Sequence, residues 1–343
     1  MQDTTTPLLP IPVINGLVIL DGYVKIRVEK GFLEVTDGIS DERRHQLYSK
    51  ATCKIKRVAL LDAAGYITFE AFEWLYAIGA GFIQLGWDGE VILASAPHRE
   101  HIIIKRAQYL AVNNQNGQAI TTYLMLRKTY GQCMVLSKHT PDATYTYLGD
   151  TLATTRFIKR HVSAIKQARS IPEVLGVEAL TAEAYWEVIS KIPLHFEKKD
   201  MRYIPLHWLT FGSRHSLHDH KRNRNATNPA NAMLNYLYAL LYAETQVALL
   251  CAGLDPAAGL FHTDNLYRAS FAYDMMDAVR PEVDLWLLDF ISGRTFPKKY
   301  FYEKRSGVIR LHSALSRELA LTLGQWRRSI EPVVSEVRRI LLR

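Results

Sequence analysis

INGLVILDGYVKIRVEKGFLEVTD, residues 14–37, alternates apolar and polar side chains with the two-residue period of β-strands. Turn signals stand at Asn15-Gly16 and Asp21-Gly22 and at its end, Asp37-Gly38. Working outward, residues 54–61 read as another strand. Residues 67–78 read as a short helix, because Phe69, Phe72, Leu75 and Tyr76 share one face. Residues 81–85 and 90–94 are two more strands, joined by the hairpin signal Trp87-Asp88-Gly89. The β pattern ends near Ala96-Pro97. From His98 onward the apolar period becomes helical, over 98–113, 117–135, 148–168, 178–190, 228–253, 265–280, 282–291 and 312–342. Residues 113–117 form a turn. Residues 192–229 lack clear periodicity and are rich in His, Arg, Lys and Asn; they read as a long loop with some helix. The expected fold class is α+β, with an N-terminal β-rich domain over 1–96 and a larger all-α domain over 97–343.

The 343 residues are 48% hydrophobic, enough for a full core. No run of eighteen apolar residues suggests a membrane span, and residues 1–16 lack the charged and apolar regions of a secretory signal. Cys53, Cys133 and Cys251 lie far apart and make no metal or redox spacing, so they read as reduced, mostly buried thiols of a cytoplasmic protein. The net charge is +8. Residues 293–343 hold twelve Lys/Arg against four Asp/Glu, an excess of eight that equals the net charge of the chain. A second basic stretch runs over 198–224 and includes Arg214, Lys221, Arg222 and Arg224. Localised positive charge points to a polyanion; a merely solvated surface is the competing reading.

Residues 253–281, GLDPAAGLFHTDNLYRASFAYDMMDAVRP, carry the chemistry. His262 precedes an apolar helical run that holds Asp274 and Asp277. Three apart on a helix, the two aspartates occupy neighbouring positions on one face. Among Phe271, Tyr273, Met275, Met276 and Val279 they need a cation or a hydrogen-bond network. One imidazole and two carboxylates suit a divalent metal. The alternatives are a packed, hydrogen-bonded His262 and a structural network of the aspartates with Arg268 and Arg280. Asp255-Pro256 reads as a turn ending the preceding helix. Asn228 and Pro229 read as the N-cap and first residue of a helix. The string His215, His218, His220 has no cysteine or glutamate at a zinc spacing and reads as a polar loop. Tyr185 and Trp186 read as core.

Residues 175–186, LGVEALTAEAYW, open a helix with Glu178 in its first turn. Next come residues 224–235, RNATNPANAMLN, and the helical YLYALLYAE. Gly253-Leu254-Asp255-Pro256, His262 and Asp274 to Asp277 follow, then Arg280-Pro281. In this order the motifs resemble the CRISPR-associated integrase family, the larger core protein of CRISPR spacer acquisition. Arg106-Ala107-Gln108-Tyr109 and Leu126-Arg127-Lys128 resemble the start of that family's helical domain, and the resemblance covers nearly the whole chain. It implies a metal-dependent DNA endonuclease and integrase whose C-terminal domain is catalytic. It also implies a homodimer formed through the β domains, joined by a smaller CRISPR-associated adaptation partner.

Carried over residue by residue, the catalytic set is Glu178, His262, Asp274 and Asp277. Glu178, His262 and Asp277 are the ligands of a magnesium or manganese ion. Asp274 is either a fourth ligand or a group orienting water or His262. For Glu178 the competing role is that of a carboxylate favoured by the helix dipole. Double-stranded and branched DNA is the implied partner, met by Arg222, Arg224, Asn231, Arg268, Lys298, Lys299, Lys304 and Arg305. A transposon-type integrase, a DNA-binding scaffold with a dead site and a small-molecule metallohydrolase are the alternatives.

Overall fold

A computed structural model describes residues 8–39, 42–86, 89–97, 101–139, 151–214, 226–262 and 269–343, without the side chains of 151–153. An N-terminal sheet is followed by a mostly helical region, the α+β architecture expected. The sheet has six strands: β1 (Leu17–Glu29), β2 (Phe32–Asp37), β3 (Arg44–Tyr48), β4 (Arg57–Ile67), β5 (Gly81–Leu85) and β6 (Val91–Ser95). Their spatial order is β3-β2-β1-β4-β5-β6. β1 meets β4 in parallel and β4 meets β5 in parallel, while the outer pairings are antiparallel. The helix α1 (Phe69–Ala77), capped by Thr68, makes the crossover that a parallel β4–β5 pair requires. β1 and β4 come so close at Gly65 (φ 128°) that a Cβ there would lie 1.8 Å from the Val24 carbonyl oxygen, so only glycine fits.

The alternation of β1, β4 and β5 sends their side chains to two cores. Val18, Leu20, Val58 and Phe82 pack with Ala71, Trp74 and Leu75 of α1. Leu17, Ile19, Ala59, Leu61, Ile83 and Leu85 join the large core of the helical region. The apolar interior therefore runs across residue 96, where the sequence changes from strand to helix. A buried ion pair spans the same junction, with Arg57 Nε donating to Glu244 Oε2 at 3.1 Å.

The helical region contains α2 (Ile102–Ala111), α3 (Gln115–Lys138), α4 (Thr151–Gln167), α5 (Ile171–Ile189), α6 (Pro229–Cys251), α7 (Ser270–Asp277), α8 (Arg280–Ser292), α9 (Ser313–Ala320) and α10 (Leu323–Leu341). α6 is apolar nearly all round, and fifteen of its 23 residues are buried. Asn228 caps it as expected, accepting from the Asn231 N–H at 2.9 Å, with Pro229 in the first turn. The single helix expected over 312–342 is two, α9 and α10. The 192–229 segment carries the two-residue strand His195–Phe196, paired with Thr295–Phe296, and two short 3₁₀ turns.

α5 starts seven residues earlier than expected. Ser170 is its N-cap and accepts from the Glu173 N–H, while Glu173 Oε2 accepts from the Arg169 N–H. This Ser-x-x-Glu arrangement satisfies two otherwise orphaned donors. Glu178 consequently lies in the helix interior, not in the first turn, which removes the helix-dipole reading of its carboxylate.

Among the described residues no helix is long and apolar enough to cross a membrane. Of the three free cysteines, Cys133 is buried, Cys53 is half-buried and Cys251 is exposed, so burial is less general than expected.

Candidate active site

Three helices and one loop bring the acidic residues together. α5 contributes Glu178, α7 contributes Asp274 and Asp277, α3 contributes Lys128, and the loop after α6 contributes His262. Pro281, in the first turn of α8, has no N–H and separates α7 from α8, so α7 ends at Asp277.

Lys128 joins the two carboxylates. Its Nζ lies 2.7 Å from Glu178 Oε1 and 3.1 Å from Asp277 Oδ2, and its side chain is only 12% exposed. On the other side of Asp277, Arg280 Nη1 lies 2.6 Å from Oδ1, the pairing weighed in the sequence. Burial pushes the Asp277 carboxyl up, but Arg280, Lys128 and His262 outweigh it and hold the group below the usual aspartate range. Burial likewise disfavours the Lys128 ammonium, but Asp277 and Glu178 more than restore it, so its pKa stands above the usual lysine value.

Asp274 has a different task, although it is only three residues from Asp277. It is fully buried, and its Oδ2 accepts from the N–H groups of Leu260 (2.5 Å) and Phe261 (3.4 Å). Its Oδ1 accepts from the His262 N–H (3.0 Å) and meets His262 Nδ1 at 2.6 Å. An ionised carboxylate can only accept, so this contact places the ring proton on Nδ1 and leaves the lone pair on Nε2. Burial pushes the Asp274 carboxyl above its usual range despite the bonds from His262 and the backbone. Of the two roles held open for Asp274, this geometry favours orienting His262.

The donor set suits a hard divalent cation: two carboxylates flanking one positive point, and an imidazole whose Nδ1 is held by Asp274. Glu178 Oε1 is buried and accepts no well-aligned hydrogen bond, which a bound ion would remedy. As they stand, no three His, Cys, Asp or Glu side chains among the described residues close on a single point. The physical reason at the carboxylates is Lys128, whose ammonium already bridges them.

Behind the site, Asp284 of α8 accepts from the hydroxyls of Tyr185 (2.9 Å) and Tyr238 (2.5 Å). Burial pushes its carboxyl up to about 6, against the pull of these bonds. The Arg280 and Arg214 guanidinium groups lie over the Tyr238 ring at 5.2 and 5.5 Å. Tyr185 is buried and Trp186 half-buried against the core, as expected.

The residues expected at DNA are dispersed. Lys298 and Lys299 stand in a 3₁₀ turn, and Lys304 and Arg305 in the hairpin between strands Phe301–Glu303 and Ile309–Leu311. Lys299 and Arg305 are exposed. Asn231 is buried with its amide committed: it donates to the Phe211 and Ser213 carbonyls and accepts from Arg214. It is a bracket for residues 211–214 and has no free amide edge to offer a nucleic acid. Arg222, Arg224, Arg268 and the string His215, His218, His220 lie outside the described residues.

Sequence reasoning missed Lys128 as a site residue, although it had singled out Leu126-Arg127-Lys128. The buried residues of α3 include Ile120, Thr121, Leu124, Met125, Thr129, Gln132 and Cys133. Lys128 falls on that stripe, and a lysine on a buried stripe needs an anionic partner.

The model of a family described as CRISPR associated protein Cas1 matches residues 17–323. The CRISPR-associated endonuclease Cas1 1 of Archaeoglobus fulgidus is 28% identical over 319 residues, covering 89% of this chain and 86% of its own. Among solved structures, a casposase bound to integration product matches with a TM-score of 0.73 at 23% identity, covering 95% of this chain and 90% of that one. A chain of the Cas6-RT-Cas1–Cas2 complex matches with a TM-score of 0.69 at 17% identity, covering 95% of this chain and 34% of that one. At these identities the two structures speak for the fold.

Proposed function

Starting from the fact that the chain belongs to the family of CRISPR-associated Cas1 proteins, we propose that it is a metal-dependent DNA endonuclease and integrase. It would join the 3′-hydroxyl of a captured DNA fragment to a CRISPR array by transesterification. The carrying observation is the juxtaposition of Glu178 and Asp277 about one cationic point, with a His262 whose ring is held at Nδ1 by Asp274.

Glu178, Asp277 and His262 would hold Mg²⁺ or Mn²⁺. The bound ion would offset charge on the phosphorus oxygens and make the attacking hydroxyl or water more acidic. Asp274 keeps the His262 proton on Nδ1, so that the imidazole presents a lone pair at Nε2. Arg280 fixes Asp277 by occupying its Oδ1. The number of phosphodiester bonds is unchanged by transesterification, so the step needs no nucleotide hydrolysis. Lys298, Lys299, Lys304 and Arg305 would meet backbone phosphates, giving sequence-independent, salt-sensitive affinity.

The names of the relatives extend the reading to partners. The Cas1–Cas2 complex among the neighbours in fold supports a smaller CRISPR-associated partner, and the casposase bound to integration product supports DNA as a partner. Homodimerisation through the 1–96 domain, with catalysis in the 97–343 domain, and a cytoplasmic location belong to the same proposal. The casposase likeness also favours a second reading, a stand-alone transposon-type integrase. Target choice separates the two: preference for a repeat array fits the first, and preference for terminal inverted repeats fits the second.

The test is cleavage and strand transfer on branched DNA with Mn²⁺, with and without chelator, beside Glu178→Ala and His262→Ala. Activity that chelator and either alanine abolish supports the site. Equal activity in the alanine variants removes it, and wild-type DNA binding without any activity leaves a scaffold.

A further inference from the structure

We infer that Lys128 is an internal cation holding the divalent-ion position of this site, so that metal binding is an exchange in which the ion displaces the ammonium from Glu178 and Asp277. The inference rests on the metal-site reading above and deepens it. Its basis is where the ammonium lies. Lys128 Nζ makes its two shortest ionic contacts with Glu178 Oε1 and Asp277 Oδ2, the oxygens a bridging cation would take.

Charge balance demands the exchange. Lys128 and Arg280 set two positive charges against the two carboxylates of Glu178 and Asp277. The four side chains are at most one-quarter exposed, so charge there is poorly screened by water. Asp274, ionised beside a neutral His262, adds one further negative charge. A divalent ion arriving while Lys128 stayed would leave one surplus positive charge in a nearly dry pocket. Withdrawal of the ammonium removes that surplus and frees two ligand oxygens at once.

Lysine is built for this and arginine is not. An ammonium is a compact point charge on a flexible four-carbon stem, whereas a guanidinium is a rigid planar fork. The stem can swing without movement of α3. In the metal-free protein Lys128 keeps two close carboxylates from repelling each other, so the site stays assembled before the ion arrives. The same contact raises the metal concentration needed to load it.

Two measurements on the full chain test the exchange. In the first, Mn²⁺ is titrated calorimetrically into wild type, Lys128→Met and a Glu178→Ala control, and melting is followed with and without the ion. Lys128→Met is expected to bind Mn²⁺ at least about tenfold more tightly, because no cation competes. It should also melt below wild type without metal and gain more on adding it. In the second, wild-type Lys128 is acylated by an amine-reactive reagent and quantified by mass spectrometry. Labelling should rise several-fold with Mn²⁺ as the ammonium leaves its carboxylates.

Wild type that binds Mn²⁺ while Lys128→Met binds it no more tightly overturns the exchange and leaves the metal site standing. Labelling that stays level or falls does the same, and it decides alone if Lys128→Met fails to fold. Absence of Mn²⁺ binding in both proteins overturns the metal site and the exchange with it.

Discussion

Asp274 accepts from three successive backbone N–H groups and from the His262 ring, with no exposed surface of its own. Replacing one oxygen by an amide nitrogen therefore has a defined result. In Asp274→Asn the remaining oxygen can serve Leu260 and Phe261, but the amide N–H₂ then faces His262. The ring must accept at Nδ1, which moves its proton to Nε2 and closes the nitrogen proposed as a metal ligand. Mn²⁺ affinity should fall by about 10–100-fold, with a stability loss of about 1–3 kcal/mol from the unpaired His262 N–H. Calorimetry and ¹⁵N spectra of the imidazole check both effects. Asp284 gives a pH signature. Its folded pKa is raised from 3.8 to about 6, so the folded chain binds the proton more tightly than the unfolded chain. Stability should fall as pH rises from about 4 to about 6, by on the order of 3 kcal/mol, and then level off. Asp284→Asn should remove that slope in urea midpoints measured across the window. The sequence pointed to His262 and the aspartate pair, because a histidine and paired carboxylates in apolar surroundings are conspicuous, while Glu178 came through the family resemblance. It left two roles open for Asp274, because the choice depends on which neighbour the carboxylate meets.

α3 and α8 show what an element must do to hold such a site. Gly131, one turn beyond Lys128, lies against Pro281, and a Cβ there would come within 2.7 Å of the Pro281 ring. The ring cannot turn aside, so Gly131→Ala must push α3 from α8. Overpacking costs about 1–3 kcal/mol, while a helix gains at most about 1 kcal/mol from replacing glycine by alanine. A net loss of up to about 2 kcal/mol is expected by thermal melting, with strand transfer reduced beyond the loss of folded protein because Lys128 and Asp277 shift apart. A stabilised, fully active variant would contradict the close packing. Element types were largely legible in the sequence, since β1 alternates and the helices keep their stripes. Boundaries were not: the Ser170-Ile171-Pro172-Glu173 box was present in the chain, but the motif from 175 drew attention to a later start. The break between α9 and α10 falls at Leu321-Thr322, where no Pro or Gly marks it; Leu321 closes one helix and Thr322 opens the next.

For the whole molecule, the sheet and the helices share one interior, fastened by Arg57 and Glu244. Neither residue stood out in the sequence, because a buried pair 187 positions apart is visible only once the chain is folded. Glu244→Ala leaves the Arg57 charge buried without its partner and should cost about 3–5 kcal/mol. The double change Glu244→Leu with Arg57→Met removes both charges and should cost less than the single one. Denaturant unfolding of the three proteins checks this order, and a double change that costs as much as Glu244→Ala or more would contradict it. At the same scale, duplex affinity should fall steeply with salt, and Lys299→Ala with Arg305→Ala should make the slope shallower by about 2 in log–log units. All of this bears on the one arrangement proposed, a single divalent ion shared by Glu178, Asp277 and His262. Anomalous diffraction from crystals soaked in Mn²⁺ tests it most directly. The expected peak lies between the Glu178 and Asp277 carboxylates, within ligand distance of His262 Nε2, with the Lys128 ammonium moved away. A soaked crystal with manganese elsewhere and Lys128 still bridging the two carboxylates would contradict it.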